Sequence, residues 1–527
     1  MKNQFLRVVT IFYIILPSFL FFYGWLKLPF AIISILILTS FSVNLLTDAS
    51  RALPNWQVWF KTKTKEVFSS RSIAGIVLVF LLIVIWLAFS GAGGIGLQNS
   101  DYKAGNALLK ALMAQDWPLT SVLDDTRVPI VYYVAYYLPA AVIGKAFGWV
   151  YANIFLFVWT LIGILLALAW FWNLSRIDFK NRISKLVVFT AIFCLAGGLD
   201  YVGKYVLKEN VFDLRAHIEW WAEYFQYSSN TTLIYWVPQH TIAAWLIIGM
   251  MADALFDKHN LKYLGMVVAA GIIWSPFGII GIAPYLLLIL FVYLQPEHRK
   301  YLLNRESILF NILSIGLGSI YILYLGSNQF KFPIGFIWQF PESDVSLVRH
   351  LLAFWGLEFA LLGFLILLLI VLGILFPRPT ALKPRWHQRI ALLEREFSIT
   401  PIQLWLFIIS LGVLGVLPLF KMGIYNDIVM RGSIPSFFIF WAFIAKVITD
   451  ASIRVRMKFN FLYTLVWMVL LIGFFPSVAG IARSVKNYRF GPPAFSDVLT
   501  IADATNTDLI LQRIGNQDSI FYRYIGK

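Results

Sequence analysis

Apolar runs of about 17 to 25 residues, enough to cross roughly 30 Å of hydrocarbon as helix, recur from Ile11 to Ile481 with short charged breaks between them. The pattern predicts thirteen spans, at residues 8–25, 28–46, 73–90, 150–172, 186–198, 238–255, 263–274, 277–294, 308–325, 351–376, 401–420, 433–449 and 461–481. A transmembrane β-barrel needs alternating segments of about ten residues and produces no continuous apolar runs, so the pattern excludes it. The expected fold class is an all-α polytopic membrane protein with amphipathic juxtamembrane helices in its first outer loop.

Charge orients this layout. The loop at 47–72 carries Arg51, Lys61, Lys63, Lys65 and Arg71, which the positive-inside rule places in the cytoplasm. Alternation then puts the N-terminus in the cytoplasm. The segments 91–149, 199–237, 326–350 and 421–432, and the tail beyond 482, fall on the non-cytoplasmic side of a plasma (inner) membrane. The apolar segment 128–147 tests the scheme. If it crossed, the basic loop with Arg176, Lys180, Arg182 and Lys185 would fall outside, and so would the one from Arg378 to Arg395. It is therefore read as a non-crossing interfacial helix, with Pro129, Pro139 and Tyr132, Tyr133, Tyr136 and Tyr137 at headgroup depth. Organisation follows as two N-terminal spans and a basic loop (1–72), a core with the first two outer loops (73–300), C-terminal spans (301–481) and a tail (482–527).

Composition narrows the function. The 527 residues are 60% hydrophobic and 13% charged, and the formal charge of +16 is scattered through short loops, which excludes a nucleic-acid partner and leaves the lipid bilayer. The single cysteine, Cys194, lies in an apolar run and excludes a disulfide or a cysteine-based metal site. Lys2 and Arg7 precede an apolar stretch with no small-residue cleavage site, so the start reads as a retained span. Neither GxxxxGK[ST] nor GxGxxG occurs, so no nucleotide cofactor is implied.

The chemistry-bearing residues gather in the outer segments. Asn99-Ser100-Asp101 follows a span and precedes an amphipathic helix to Gln115, which ends at Asp116-Trp117-Pro118. At that depth, partial desolvation would raise the pKa of Asp101 and suit it to take a proton from a hydroxyl; the competing role is a helix cap. Asp124 and Asp125, with Arg127, suit a divalent cation, a sugar or a solvated turn. In the second loop, Asp200, Asp213, Arg215, His217, Glu219 and Glu223 interleave with Trp220, Trp221 and Tyr224. On a helix, His217 would share a face with Trp221, an aromatic-and-acid surface suited to sugar rings. His240, beside Gln239 at the start of a span, is a candidate phosphate or sugar contact, and no second His stands close enough to make it a metal ligand. In the segment from Lys421 to Pro435, Arg431 opposes the charge bias, and a lipid phosphate would explain it. Asp427 stands one helical turn away to hold the guanidinium, and Lys421 is a weaker phosphate candidate.

One layout brings these pieces together. A span, an outer loop opening on an acidic residue, a short helix ending in Asp-Trp-Pro, the stretch Val128-Pro-Ile-Val-Tyr-Tyr, a Phe147-Gly148 turn and a span ending in basic residues resemble the GT-C glycosyltransferases over residues 73–185. That superfamily includes the protein mannosyltransferases and the lipid A aminoarabinose transferase. The resemblance implies an inverting enzyme that moves a sugar from a polyprenyl-phosphate carrier to an acceptor hydroxyl on a lipid, glycan or protein. It also implies that Asp101 is the catalytic carboxylate and that 128–147 is a juxtamembrane helix. Two departures stand out: Asn99 and Ser100 occupy the places where many relatives carry a second acidic residue, and two extra spans precede the core. A lipid or glycolipid transporter would need mid-depth polar residues and internal repeats; Glu358 is the main such residue and no repeat is present. A catalytically inactive, GT-C-derived assembly protein is the third reading.

Overall fold

The computed structural model describes residues 3–52, 70–123, 126–176, 183–207, 217–258, 261–330, 332–340, 346–376, 386–500 and 512–527. From the N-terminus the helices are α1 (Gln4–Trp25), α2 (Leu28–Ala52), α3 (Ser70–Ala88), α4 (Ser100–Ala114), α5 (Leu138–Phe147), α6 (Trp149–Ser175), α7 (Ile183–Leu195), α8 (Asp200–Leu207) and α9 (Asn230–Trp236). They continue with α10 (Pro238–Phe256), α11 (Leu264–Ile272), α12 (Pro276–Leu294), α13 (Arg305–Leu325), α14 (Leu347–Trp355), α15 (Leu361–Leu375), α16 (Trp386–Phe397) and α17 (Pro401–Val416). The last are α18 (Asp427–Gly432), α19 (Ile434–Asp450), α20 (Ile453–Lys458), α21 (Asn460–Ile472) and α22 (Phe475–Lys486). Two antiparallel strand pairs accompany them, β1 (Thr120–Leu123) with β2 (Thr126–Pro129) and β3 (Ile334–Phe336) with β4 (Phe420–Met422).

Among the described residues, eleven helical stretches are long and apolar enough to cross a membrane, which makes this an all-α polytopic integral membrane protein. They coincide with all the expected spans except 73–90 and 263–274. The first of these is α3, whose apolar part Ile73–Ala88 is shorter than the others. The second needs correcting: α11 has nine residues, about 13 Å at 1.5 Å per residue, and cannot cross alone. It ends where Ser275 caps the next helix, accepting from the Gly278 amide at 3.1 Å, and where Pro276 takes the first helical position.

The α11–α12 turn lies deep in the bundle. Trp274 donates its indole N–H to the Ile14 carbonyl at 3.0 Å and stacks near Tyr13 and Trp159, 5.6 and 6.3 Å between ring centroids. Ile14 is about 16 Å along α1 from the end at Trp25, and Trp159 is about 15 Å along α6 from its start. A recess therefore opens at the end of the bundle that carries α4 and α5.

Segment 128–147 fills part of that recess. Its helix, α5, has ten residues, about 15 Å, too short to cross. The stretch before it is irregular and turns inward, so Tyr136 and Tyr137 are buried in the bundle, not set at headgroup depth as expected. Protein satisfies this backbone. The Tyr324 hydroxyl accepts from the Tyr132 amide and donates to the Tyr132 carbonyl, both at 3.1 Å, and the hydroxyls of Tyr136 and Thr160 share a 2.6 Å bond.

Two long-range ties frame the bundle. At one end, Asp253 accepts from Arg7 and Asn3, both at 2.7 Å, and from Asn173 at 3.0 Å, joining α1, α6 and α10. At the other, residues 512–527 fold back: Gly515 donates to Pro129 O at 2.7 Å, Gln329 to Ile514 O at 2.8 Å, and Lys527 to Trp25 O at 2.9 Å. Replacing Trp274 by Ala removes both its packing and its hydrogen bond at the turn. It is expected to lower the stability of the detergent-solubilised protein by about 3–5 kcal/mol, read as a fall in the thermal unfolding midpoint; an unchanged midpoint would show that this indole does not hold the turn.

Candidate functional site

A cavity of about 220 Å³ occupies the recess, and four elements contribute its polar groups. The first is α4. Asn99 caps it, its side-chain oxygen accepting from the amides of Asp101 and Tyr102 at 3.0 and 3.2 Å. The capping role open to Asp101 in the sequence is thus taken by Asn99, and the Asp101 carboxylate lies on the cavity wall instead. Asn99 also donates to Tyr235 O at 2.6 Å, and the Tyr102 hydroxyl donates to Ile234 O at 2.9 Å, so α9 holds the helix start in place. Gly105, one turn along, leaves room for the Tyr137 hydroxyl, which a β-carbon there would strike.

The second is α18. It starts after Asn426, which takes the left-handed backbone at φ 57°, and Asp427 pairs with Arg431 at 2.8 Å across one helical turn. Arg431 also donates to the Tyr133 hydroxyl at 3.1 Å and sits 5.9 Å from the centre of the Phe277 ring. Pro276 and Phe277 form the floor, with Gln239 beside them. His240 does not reach the cavity as a ligand contact would: it is fully buried, its Nδ1 lies 2.8 Å from the Ser275 hydroxyl, and its ring meets Tyr133 edge-on at 4.5 Å. It buttresses the tyrosine that Arg431 holds.

Gln512 and Arg513, brought in by the returning tail, form the fourth side. Arg513 is only 8% exposed; its guanidinium lies 4.3 Å from the centre of the Tyr132 ring and one nitrogen is 3.5 Å from Ala104 O. The sequence did not single out either residue.

The other expected residues lie elsewhere. Arg127 is exposed on β2 and donates to Thr120 Oγ1 at 2.9 Å, while Lys421 on β4 sits 5.4 Å from the centre of the Phe340 ring. Asp124, Asp125, Asp213 and Arg215 fall outside the described residues. His217 and Trp221 do not share an α-helical face as their spacing suggested, because Ile218–Trp220 is a single 3-10 turn and Glu223 has φ 55°. With Glu219 they form a separate polar cluster. His217 stacks on Trp220, and Glu219 accepts from Thr232 Oγ1 at 2.7 Å and the Ser229 amide at 3.1 Å. Trp221 donates to both Asp200 and Glu358, at 3.1 and 3.0 Å. Burial, reinforced by the Arg483 charge, holds the His217 imidazole down to about 3, so it is neutral at physiological pH. Among the described residues no three His, Cys, Asp or Glu side chains converge to hold a metal ion.

Chemically, the cavity offers both acceptors and donors. Asp101 and the Gln239 side-chain oxygen, buried without a partner among the described residues, can receive hydroxyls. Arg431, Arg513 and the unpartnered Gln512 amide nitrogen can donate to an anion. Burial raises the Asp101 pKa from its ordinary 3.8; the Arg431 and Arg513 charges pull it back in part, and Asp427 adds to the rise.

Because the fold disfavours ionisation of Asp101, this group stabilises most while protonated, and its contribution falls as pH rises from 3.8 through the raised pKa. Asp101→Asn is expected to lack that fall and to be at least as stable as the parent at neutral pH, measured as unfolding midpoint against pH; a markedly less stable variant would contradict this account. No family model, no curated protein and no solved structure matches the chain.

Proposed function

We propose that the protein is a GT-C-type inverting glycosyltransferase. It would move a sugar from a polyprenyl-phosphate carrier to an acceptor hydroxyl at the non-cytoplasmic face of the plasma membrane. The observation that carries the reading is the meeting, on one half-apolar cavity, of the Asp101 carboxylate from the first long loop with Arg431 from a segment more than three hundred residues later. A base and a phosphate-binding cation are the two groups that this transfer requires of the protein.

In the proposed reaction the phosphate of the donor lies against Arg431, which Asp427 and Tyr133 keep in place. Asp101 takes the proton of the acceptor hydroxyl as its oxygen attacks the anomeric carbon from the face opposite the phosphate. The bond between that carbon and the phosphate oxygen breaks, its electron pair stays on the oxygen, and polyprenyl phosphate leaves. Stabilising that departing charge is the larger catalytic contribution, and the raised proton affinity of Asp101 fits it for the smaller one. Apolar walls at Val131, Val237, Leu325 and Phe332 suit the lipid part of the donor.

Incubation of the purified protein with polyprenyl-phosphate sugars is expected to release polyprenyl phosphate. Asp101→Asn should reduce the rate by roughly 10²- to 10⁴-fold with the protein still folded, and Arg431→Gln by roughly 10²- to 10³-fold. Near-normal turnover of the Asp101 variant would exclude it as the base. Sidedness has its own measurement: a cysteine at the exposed Val122 on β1 should react with a membrane-impermeant thiol reagent in intact cells, and labelling only after lysis would place the cavity on the wrong side.

A further inference from the structure

Arg513 is a cation nine-tenths buried on a cavity wall, and among the described residues it makes no ion pair. Its geometry is a stack on Tyr132 and one long contact to a carbonyl, which leave most of its donors unused. Burying an unpaired guanidinium is costly unless an anion completes it. Beside it, the Gln512 amide nitrogen is buried without an acceptor among the described residues, and Gln512 lines the same cavity. Arg431, by contrast, is already engaged by Asp427 and Tyr133. The unsatisfied donors of the site thus come mainly from one dipeptide of the returning tail.

We infer that Gln512 and Arg513 form, with Arg431, a binding site for a phosphate group, so that the segment 512–527 is a functional wall of the cavity. A carboxylate would fill one guanidinium fork. A tetrahedral phosphate offers oxygens in enough directions to accept from two arginines and an amide together. The inference rests on the reading of this cavity as the donor site, but binding alone tests it. The phosphate belongs either to a lipid or to free phosphate in solution.

The test titrates the full-length, detergent-solubilised protein with a short-chain polyprenyl phosphate, with the matching polyprenol and with inorganic phosphate, by calorimetry. Arg513→Gln is expected to weaken polyprenyl-phosphate binding about ten- to hundred-fold and to leave polyprenol binding unchanged. Arg513→Lys should recover part of the loss, because it restores the charge without the fork. Binding of inorganic phosphate alone, with the same dependence on Arg513, would uphold the site and make free phosphate its ligand. An Arg513→Gln protein with the parental melting midpoint and phosphate affinities within about twofold of the parent would overturn the inference, as would a parent that binds neither phosphate. If phosphate binding depends on Arg513 but no sugar donor yields polyprenyl phosphate, the site stands and the transferase reading falls.

Discussion

Hydrocarbon provides no hydrogen-bond partner, so backbone can leave the helix inside a membrane bundle only where protein surrounds it. The cavity depends on two such departures, the stretch 130–137 and the α11–α12 turn, and hydrogen bonds tie each to neighbouring elements. Tyr324 accepts from and donates to the backbone at Tyr132, Thr160 meets Tyr136, and Trp274 reaches the Ile14 carbonyl. Without these partners the Tyr132 amide and the Trp274 indole N–H would be left unpaired inside the bundle.

The recess so produced concentrates charge in a setting that screens it poorly. Asp101, Asp427, Arg431 and Arg513 bring two acidic and two basic side chains to the lining of one cavity. Only the Asp427–Arg431 pair is closed at hydrogen-bond distance, which leaves one carboxylate and one guanidinium facing open space. Asn99 matters here although it does not line the cavity. By occupying the helix cap it frees Asp101 from backbone amides that would have stabilised its charge and lowered its proton affinity.

Most of the fold was legible because span length and apolar continuity report directly on crossing. The failure at 263–274 is instructive: hydropathy separates this run from 277–294 but reads both as crossings, whereas the Ser275-Pro276 stop, a cap followed by a first-turn proline, ends the first as a half-length helix. The Asp427–Arg431 pair was legible from i, i+4 spacing. His217 and Trp221 misled because aromatic residues three or four apart also suit a single tight turn, and nothing local foretold the positive φ of Glu223. Arg513 was not legible at all. It is one of several basic residues in the tail, with Arg483, Lys486, Arg489, Arg523 and Lys527, and its contact to Ala104 spans 409 positions. No local pattern distinguishes the one that turns inward.

The pairing of residues 512–527 with the end of α1 bears on biosynthesis. Lys27 donates to Arg523 O across 496 positions, so α1 has left the ribosome long before the segment that clasps it has been made. Until then the cavity lined by Asp101 and Arg431 lacks the side that Gln512 and Arg513 supply. The vestibule is therefore completed only by residues that follow every span in the sequence.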